Sequence, residues 1–203
     1  MSEQSLSARL QALLEPLPTA ALPTLGHAAV LLALTDELEP RLWLIRRSQH
    51  LLIHPGQMAF PGGKGEAHDH NLWVTALREA EEEVALSRAL VTPCGALGVR
   101  QTLTGYYVSP FVGVVPAAVE LTAAPSEVAE VIALPLREFA DARNLHIDRI
   151  WRAGIKRNLP RYQIGSLMVW GMSASFIVEL VNHFYAAGFD QDLYGSPQPV
   201  LME

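Results

Sequence analysis

Cysteine is almost missing from this chain of 203 residues: only Cys94 is present. An internal disulfide framework is therefore excluded, and a zinc site built on thiolates is not expected. Cys94 follows Pro93 and precedes an apolar stretch, so it reads as a small buried hydrophobe. Basic residues are also sparse, with 15 Lys and Arg against 21 Asp and Glu and a net charge of -6. They form no basic run, which argues against a nucleic-acid groove or a polybasic membrane surface. An anionic partner would have to be met by a few placed cations or by bound metal. No apolar run is long enough to span a bilayer. The opening Met-Ser-Glu-Gln carries no secretory signal. A soluble cytoplasmic protein, with neither membrane nor nucleic acid as partner, is expected.

Half of the residues are hydrophobic and 18% are charged, a globular composition. The length suits a single domain over 1–203, with its core at about 27–187, an N-terminal helix at 5–15 and a tail from 188. Leu6, Leu10, Leu13 and Leu14 have the spacing of that first helix, and Pro16, Pro18 and Pro23 break it. The dense apolar run His27–Leu34 suits a buried strand, and Arg41–Ile45 a second strand paired with it as in a hairpin. Residues 54–66 hold His54-Pro55-Gly56 and Pro61-Gly62-Gly63 and read as a loop. From about Asp69 to Val84 the residues Trp73, Ala76, Leu77, Ala80 and Val84 form one helical apolar stripe. Strands are expected at 94–101, 107–115 and 128–132, then a short helix before Ala142. A strand pair turning near Gly165 and a helix over Met172–Ala187 close the chain. The fold class is α/β, with layers around one core.

The chemistry concentrates in Arg78-Glu79-Ala80-Glu81-Glu82-Glu83. At 3.6 residues per turn Glu79, Glu82 and Glu83 occupy one patch beside the apolar stripe, while Glu81 points to solvent. Crowded carboxylates repel, and a hard cation such as Mg²⁺ or Mn²⁺ relieves that repulsion with oxygen ligands. A solvated acidic face is the plainer reading of the helix alone. The preceding Phe60-Pro61-Gly62-Gly63 weighs against it, because glycine admits close backbone approach to a ligand and a glycine carbonyl is itself an oxygen donor.

Gly63, Asp69, Arg78, Glu79, Glu82 and Glu83 together resemble the Nudix box, Gly-x5-Glu-x7-Arg-Glu-apolar-x-Glu-Glu-x-Gly-apolar. Asp69 stands where the pattern has Glu, with one extra residue before Arg78, and Ala85 replaces the late Gly. The altered spacing resembles the coenzyme A pyrophosphatase branch. So do Leu44-Ile45-Arg46-Arg47-Ser48 and His54-Pro55-Gly56-Gln57-x-Ala59-Phe60-Pro61-Gly62-Gly63. Weaker similarities continue at Thr104-Gly105, Pro110–Gly113, Glu127-Val128, Pro135-Leu136 and Trp170–Ala174, so the likeness spans about 27–185. That branch usually has an Arg where this chain has Leu52.

The resemblance implies a Nudix-like α/β/α sandwich with a mixed β-sheet, plus the short N-terminal and longer C-terminal helices. It implies Mg²⁺ or Mn²⁺ held by Glu79, Glu82, Glu83 and the Gly62 carbonyl, with Glu79 a candidate base. It makes Glu127 a later acidic ligand or base, against the plainer reading of a surface charge. It implies that Arg78 pairs with Asp69 or Glu66 to fix the glycine loop around Gly63; Asp69 capping the helix is the other option. Arg46, Arg47 and Lys64 are candidates for substrate phosphates, since Arg favours bidentate phosphate binding. His54 is a candidate substrate contact or a loop residue bound to backbone. Tyr106, Tyr107, Trp170 and Phe176 stack on a base or belong to the core. The implied substrate is a nucleotide derivative, foremost coenzyme A cleaved to 4′-phosphopantetheine and adenosine 3′,5′-bisphosphate. Leu52 motivates a broader hydrolase of NADH, FAD or ADP-ribose as the alternative. A non-catalytic nucleotide sensor is a third reading, which three crowded carboxylates disfavour. A homodimer is implied by the resemblance alone.

Overall fold

The computed structural model describes residues 4–18, 26–102, 105–152 and 155–190, without the side chains of 152–157. Pro23 and Thr104, singled out above, and the tail beyond residue 190 lie outside the described residues.

The apolar run from His27 becomes the central strand β1 (His27–Asp36). It lies parallel to β7 (Tyr107–Pro116), from His27 opposite Tyr107 to Asp36 opposite Pro116. Leu31, Leu32, Ala33 and Leu34 are all buried. Both faces of β1 are covered, which is why its apolar run is continuous rather than alternating. The main sheet has eight strands. Its path runs β3 (Met58–Ala59), β2 (Arg41–Arg47), β1, β7, β5 (Thr92–Ala96). Three further strands are attached to this path: β4 (Gly62–Lys64) to β1, β6 (Arg100–Gln101) to β7, and β8 (Val128–Pro135) to β2. All pairings except β1 with β7 are antiparallel, so the sheet is mixed.

Alternation along the strands divides the core into two layers. Ala29, Leu31, Ala33, Phe111 and Val115 face Leu72, Ala76, Ala80 and Val84 of helix α2 (Leu72–Val84). Leu32, Leu34, Val112 and Val114 face the other way. They pack with Leu10 of α1 (Leu6–Gln11), Phe139 of α3 (Leu136–Ala140), and Phe176, Ile177 and Leu180 of α4 (Gly171–Tyr185). The result is the expected α/β/α sandwich. Each fully buried leucine in it contributes on the order of 2 kcal/mol.

Three local expectations are corrected. The segment 54–66 is not all loop, because β3 and β4 lie within it and β4 pairs with β1. The catalytic-helix candidate starts at Leu72 rather than Asp69, because Asn71 caps it: the Asn71 side chain accepts from the Val74 N–H at 2.9 Å. A second sheet was not foreseen as such. It is antiparallel, in the order β11 (Leu167–Trp170), β10 (Ile155–Ile164), β9 (Leu145–Arg152). Only its β10–β11 turn, at Gly165, was legible. No helix among the described residues is long and apolar enough to cross a membrane.

Candidate active site

The site is built where β4 meets α2. The Leu31 N–H donates to the Pro61 carbonyl and the Gly65 N–H to the His27 carbonyl, both at 2.9 Å. In an antiparallel ladder the intervening Gly62 and Lys64 then aim their backbone groups away from β1, toward α2. The Gly62 N–H donates to Glu83 Oε2 at 2.9 Å, and the Lys64 carbonyl accepts from Arg78 Nη2 at 3.0 Å. A side chain at Gly62 would strike backbone, and one at Gly63 would displace the Glu79 carboxylate. A Cβ at Gly62 would lie 2.3 Å from the Ala29 carbonyl oxygen, and one at Gly63 would lie 2.3 Å from Glu79 Oε1. The glycines thus let the carboxylates of α2 rest directly on the backbone of β4.

Arg78 holds this junction. Its Nε and Nη2 reach the two oxygens of Asp69 at 3.2 and 3.1 Å, and its Nη1 reaches Glu82 at 3.0 Å and Glu79 at 3.1 Å. Asp69 is buried and also accepts from Thr75 Oγ1 at 2.9 Å and the Glu66 N–H at 3.0 Å. Burial raises the Asp69 pKa, but hydrogen bonds from Arg78, the Glu66 backbone and Thr75 outweigh it and hold the carboxyl below its ordinary range. Asp69 is therefore the partner of Arg78 and does not cap the helix. Arg78 lies 3.8 Å from Glu66, a longer and more exposed pairing.

Glu83 is 3% exposed. Burial pushes its carboxyl up to about 7; the Gly62 N–H opposes this, Glu79 adds to it, Arg47 opposes it, and Glu127 adds to it. Glu79 is also raised, first by burial and then, against the pull of Arg78, by Glu82 and Glu127. Glu127 is exposed, but its backbone is fixed beside the site. Its N–H donates to the Ala124 carbonyl at 3.0 Å, its carbonyl accepts from the Ser48 N–H at 2.8 Å, and the Ala124 N–H donates to the Glu83 carbonyl at 2.9 Å. Ser48 Oγ adds a bond to the Pro125 carbonyl at 3.0 Å. Sequence reasoning gave Ser48 no role, although it closes the run Leu44–Ser48.

The other candidates separate. Arg47 Nη1 lies 3.9 Å from Glu83 Oε1, and its buried Nε has no hydrogen-bond partner among the described residues. Arg46, the preceding strand residue, leaves from the opposite face and pairs with Glu130 at 3.0 Å, so it does not join the carboxylates. Lys64 likewise leaves from the face opposite Gly63, and its ammonium sits 4.9 Å from the Tyr106 ring centroid. His54 is exposed in the loop between β2 and β3, with φ 55. The Glu82 side chain is 59% exposed and engaged with Arg78, so Glu79 and Glu83 form the inward pair and Glu82 flanks it. Phe176 is core, whereas Trp170 is 39% exposed. Tyr107 stacks on His27, a residue not singled out from the sequence.

As they stand, no three His, Cys, Asp or Glu side chains among the described residues converge as ready metal ligands. The donor chemistry nonetheless fits a hard divalent cation. Burial raises both inward carboxylates, Glu79 raises Glu83 further, Glu127 adds to both, and a cation removes the charge conflict that burial creates.

Residues 25–158 match the NUDIX domain family. The chain belongs to the NUDIX family. Curated relatives include the "Uncharacterized Nudix hydrolase NudL" of Yersinia pestis (strain Pestoides F), 40% identical over 156 residues, covering 77% of this chain and 78% of the relative. The protein of the same name from Yersinia pseudotuberculosis serotype O:1b (strain IP 31758) gives the same figures. Among solved structures, a MutT/nudix family protein from Enterococcus faecalis superposes with a TM-score of 0.53 at 14% identity, over 85% of this chain and 66% of that one. That likeness supports the Nudix fold. The residues that resemble the Nudix box, Arg78, Glu79, Glu82 and Glu83 on α2 with the Gly62–Gly63 strand beneath them, fall inside the matched range.

Proposed function

We infer that this Nudix protein is a hydrolase that breaks a phosphoanhydride in a nucleotide derivative, foremost coenzyme A. One observation carries the reading: Glu79 and Glu83 lie against the Gly62–Gly63 backbone, with Arg47 3.9 Å from Glu83. Two carboxylates whose ionisation burial opposes, with Arg47 3.9 Å from one of them, make a poor structural device. They make a suitable seat for a cation and a phosphate.

Glu79, Glu83 and the flanking Glu82 and Glu127 would hold Mg²⁺ or Mn²⁺, with the Gly62 carbonyl on the same side of β4. A divalent cation there supplies neutralisation of the phosphate oxygens. Arg47, whose side chain is partly exposed, would bind a phosphate oxygen through its guanidinium and orient the anhydride. Arg78 holds Glu79 in place while its own charge is satisfied by Asp69. Glu127 and Glu82 are the exposed carboxylates, and Glu82 is engaged with Arg78, so Glu127 has the freer access to accept a proton from solvent water; Glu83, at about 7, is the competing base.

Coenzyme A is favoured by the run 44–63, which resembles that branch. Leu52 favours the broader reading: it stands where the branch carries Arg, and it is fully exposed at 100%, so it supplies no buried contact in compensation. Turnover of coenzyme A, NADH, FAD and ADP-ribose with Mg²⁺ or Mn²⁺, with products identified by mass, tests both. Coenzyme A cleaved at least tenfold faster than the rest supports the first reading, and the reverse order supports the second. No turnover of any of them, with nucleotide still bound, would return the protein to a sensor.

A further inference from the structure

One pair of rings on the catalytic face of the sheet has no part in the chemistry above. His27 begins β1 and Tyr107 begins β7; they are register partners, and their rings stack at 5.3 Å with an interplanar angle of 23°. Both residues are half-buried, so the stacked pair is partly open to solvent.

Its position relative to the carboxylates follows from the ladder. Gly63 is the partner of Ala29, and the Cβ direction of Gly63 runs into the Glu79 carboxylate. Ala29 and His27 share a face of β1, two residues apart, which is about 7 Å along a strand. The rings therefore lie on the α2 side, one short step from the seat of Glu79. A ribose and one phosphate bridge an interval of that size.

The residue types change at the same place. Farther along this face β1 carries Ala29, Leu31 and Ala33 and β7 carries Phe111 and Val115, all buried beneath α2. At the end next to the carboxylates both strands switch to a planar ring with a polar edge. Packing alone would be met by further aliphatic residues. Rings with polar edges suit a ligand that is flat, aromatic and rimmed by hydrogen-bonding atoms. Lys64 and Tyr106 do not extend this surface, because alternation sends the Lys64 side chain to the opposite face and Tyr106 packs against it there.

We propose that His27 and Tyr107 form the platform on which the nucleobase of the substrate stacks while its phosphates lie over Glu79 and Glu83. The proposal rests on the hydrolase reading and names the base subsite of the same cleft. It makes the nucleoside half of the substrate the half bound at the β1–β7 end, and leaves the other half to the side of Arg47.

The test compares adenosine 5′-monophosphate with ribose 5-phosphate, which has the same phosphate and sugar and no base. Their dissociation constants are measured by calorimetry with Mg²⁺ on the wild type, Tyr107→Leu and Tyr107→Phe. Leu keeps the apolar volume and Phe keeps the ring, and both are checked by circular dichroism and thermal melting. Tyr107→Leu is expected to weaken the mononucleotide about tenfold, as loss of one base–aromatic stack does, and to leave ribose 5-phosphate unchanged. Tyr107→Phe is expected to restore most of the affinity. Equal weakening of both ligands, or no weakening of the mononucleotide, overturns the proposal. His27→Leu repeats the comparison from the neighbouring strand if Tyr107→Leu does not fold. Because the readout is binding, a protein that holds the mononucleotide through Tyr107 but turns over nothing refutes the hydrolase reading and leaves the platform standing.

Discussion

Glu83→Gln separates the charge of the buried carboxylate from its shape. The folded protein holds a proton on Glu83 up to about pH 7, while the ordinary glutamate value is 4.5. Between these values the native state binds a proton that the unfolded chain has released. Stability therefore falls as pH rises from about 4.5 and levels off above about 7. Each pKa unit is worth about 1.4 kcal/mol, so the full loss is about 3 kcal/mol for this 3% exposed group. Glutamine has nearly the same shape, still accepts from the Gly62 N–H, and carries no charge at any pH. Chemical denaturation in EDTA should thus give wild type and variant nearly equal stabilities at pH 4. At pH 8 the variant should be more stable by about 3 kcal/mol, some 6–12 °C in melting temperature for a chain of this size. Adding Mg²⁺ at pH 8 should raise the wild type and close most of the gap. The variant should meanwhile lose at least tenfold in kcat, so the residue that weakens the fold is one the reaction needs. Equal stabilities at pH 8, or a more stable wild type, would refute the claim that burial of an unneutralised carboxylate dominates here.

Four further outcomes follow from the same geometry. Gly63→Ala drives a methyl group to 2.3 Å from Glu79 Oε1, so kcat should fall at least tenfold in a folded protein; an unchanged rate would show that Glu79 need not rest on β4. Arg78→Met leaves Asp69 buried without its cation and should lower the unfolding free energy by about 3 kcal/mol in denaturant titration, with activity lost alongside. Ala85→Gly should raise stability by about 0.5–1 kcal/mol, because Ala85 ends α2 in the left-handed region at φ 55; a lower melting temperature would contradict this. Leu52→Arg should improve kcat/KM for coenzyme A over ADP-ribose by at least threefold if the exposed tip faces the substrate, and an unchanged ratio would remove residue 52 from substrate recognition.

How far the fold could be read in advance depended on what each segment packs against. The run from His27 to Leu34 was legible because β1 is buried on both faces, and only a central strand tolerates so many consecutive apolar residues. The stripe Trp73, Ala76, Leu77, Ala80, Val84 was legible because α2 packs on a single sheet. The hairpin β9–β10 was missed for the opposite reason. It buries Leu159 and Tyr162 but leaves Ile147 and Trp151 exposed, at 42% and 74%, so no clean period marks it. The start of α2 was misplaced by three residues because Asp69 and Asn71 are both good caps. What decides between them is Arg78, nine residues along the helix, which takes Asp69 for itself.

Helical spacing groups Glu79, Glu82 and Glu83, and the backbone respects that grouping. It does not say which member of the group turns inward. That is decided by Gly62, whose free N–H captures Glu83, by Gly63, whose missing side chain admits Glu79, and by Arg78, which draws Glu82 outward. The same logic divides Arg46 from Arg47: adjacent in sequence and chemically alike, they leave opposite faces of β2, so only one reaches the carboxylates. The pairing of β4 with β1, and of β8 with β2 far along the chain from it, is what turns an acidic run into a site with an inside. A motif therefore specifies the residue types of this chemistry, and the sheet register specifies their roles. Substituting at the register, as in Gly63→Ala, should then damage function as severely as substituting a carboxylate.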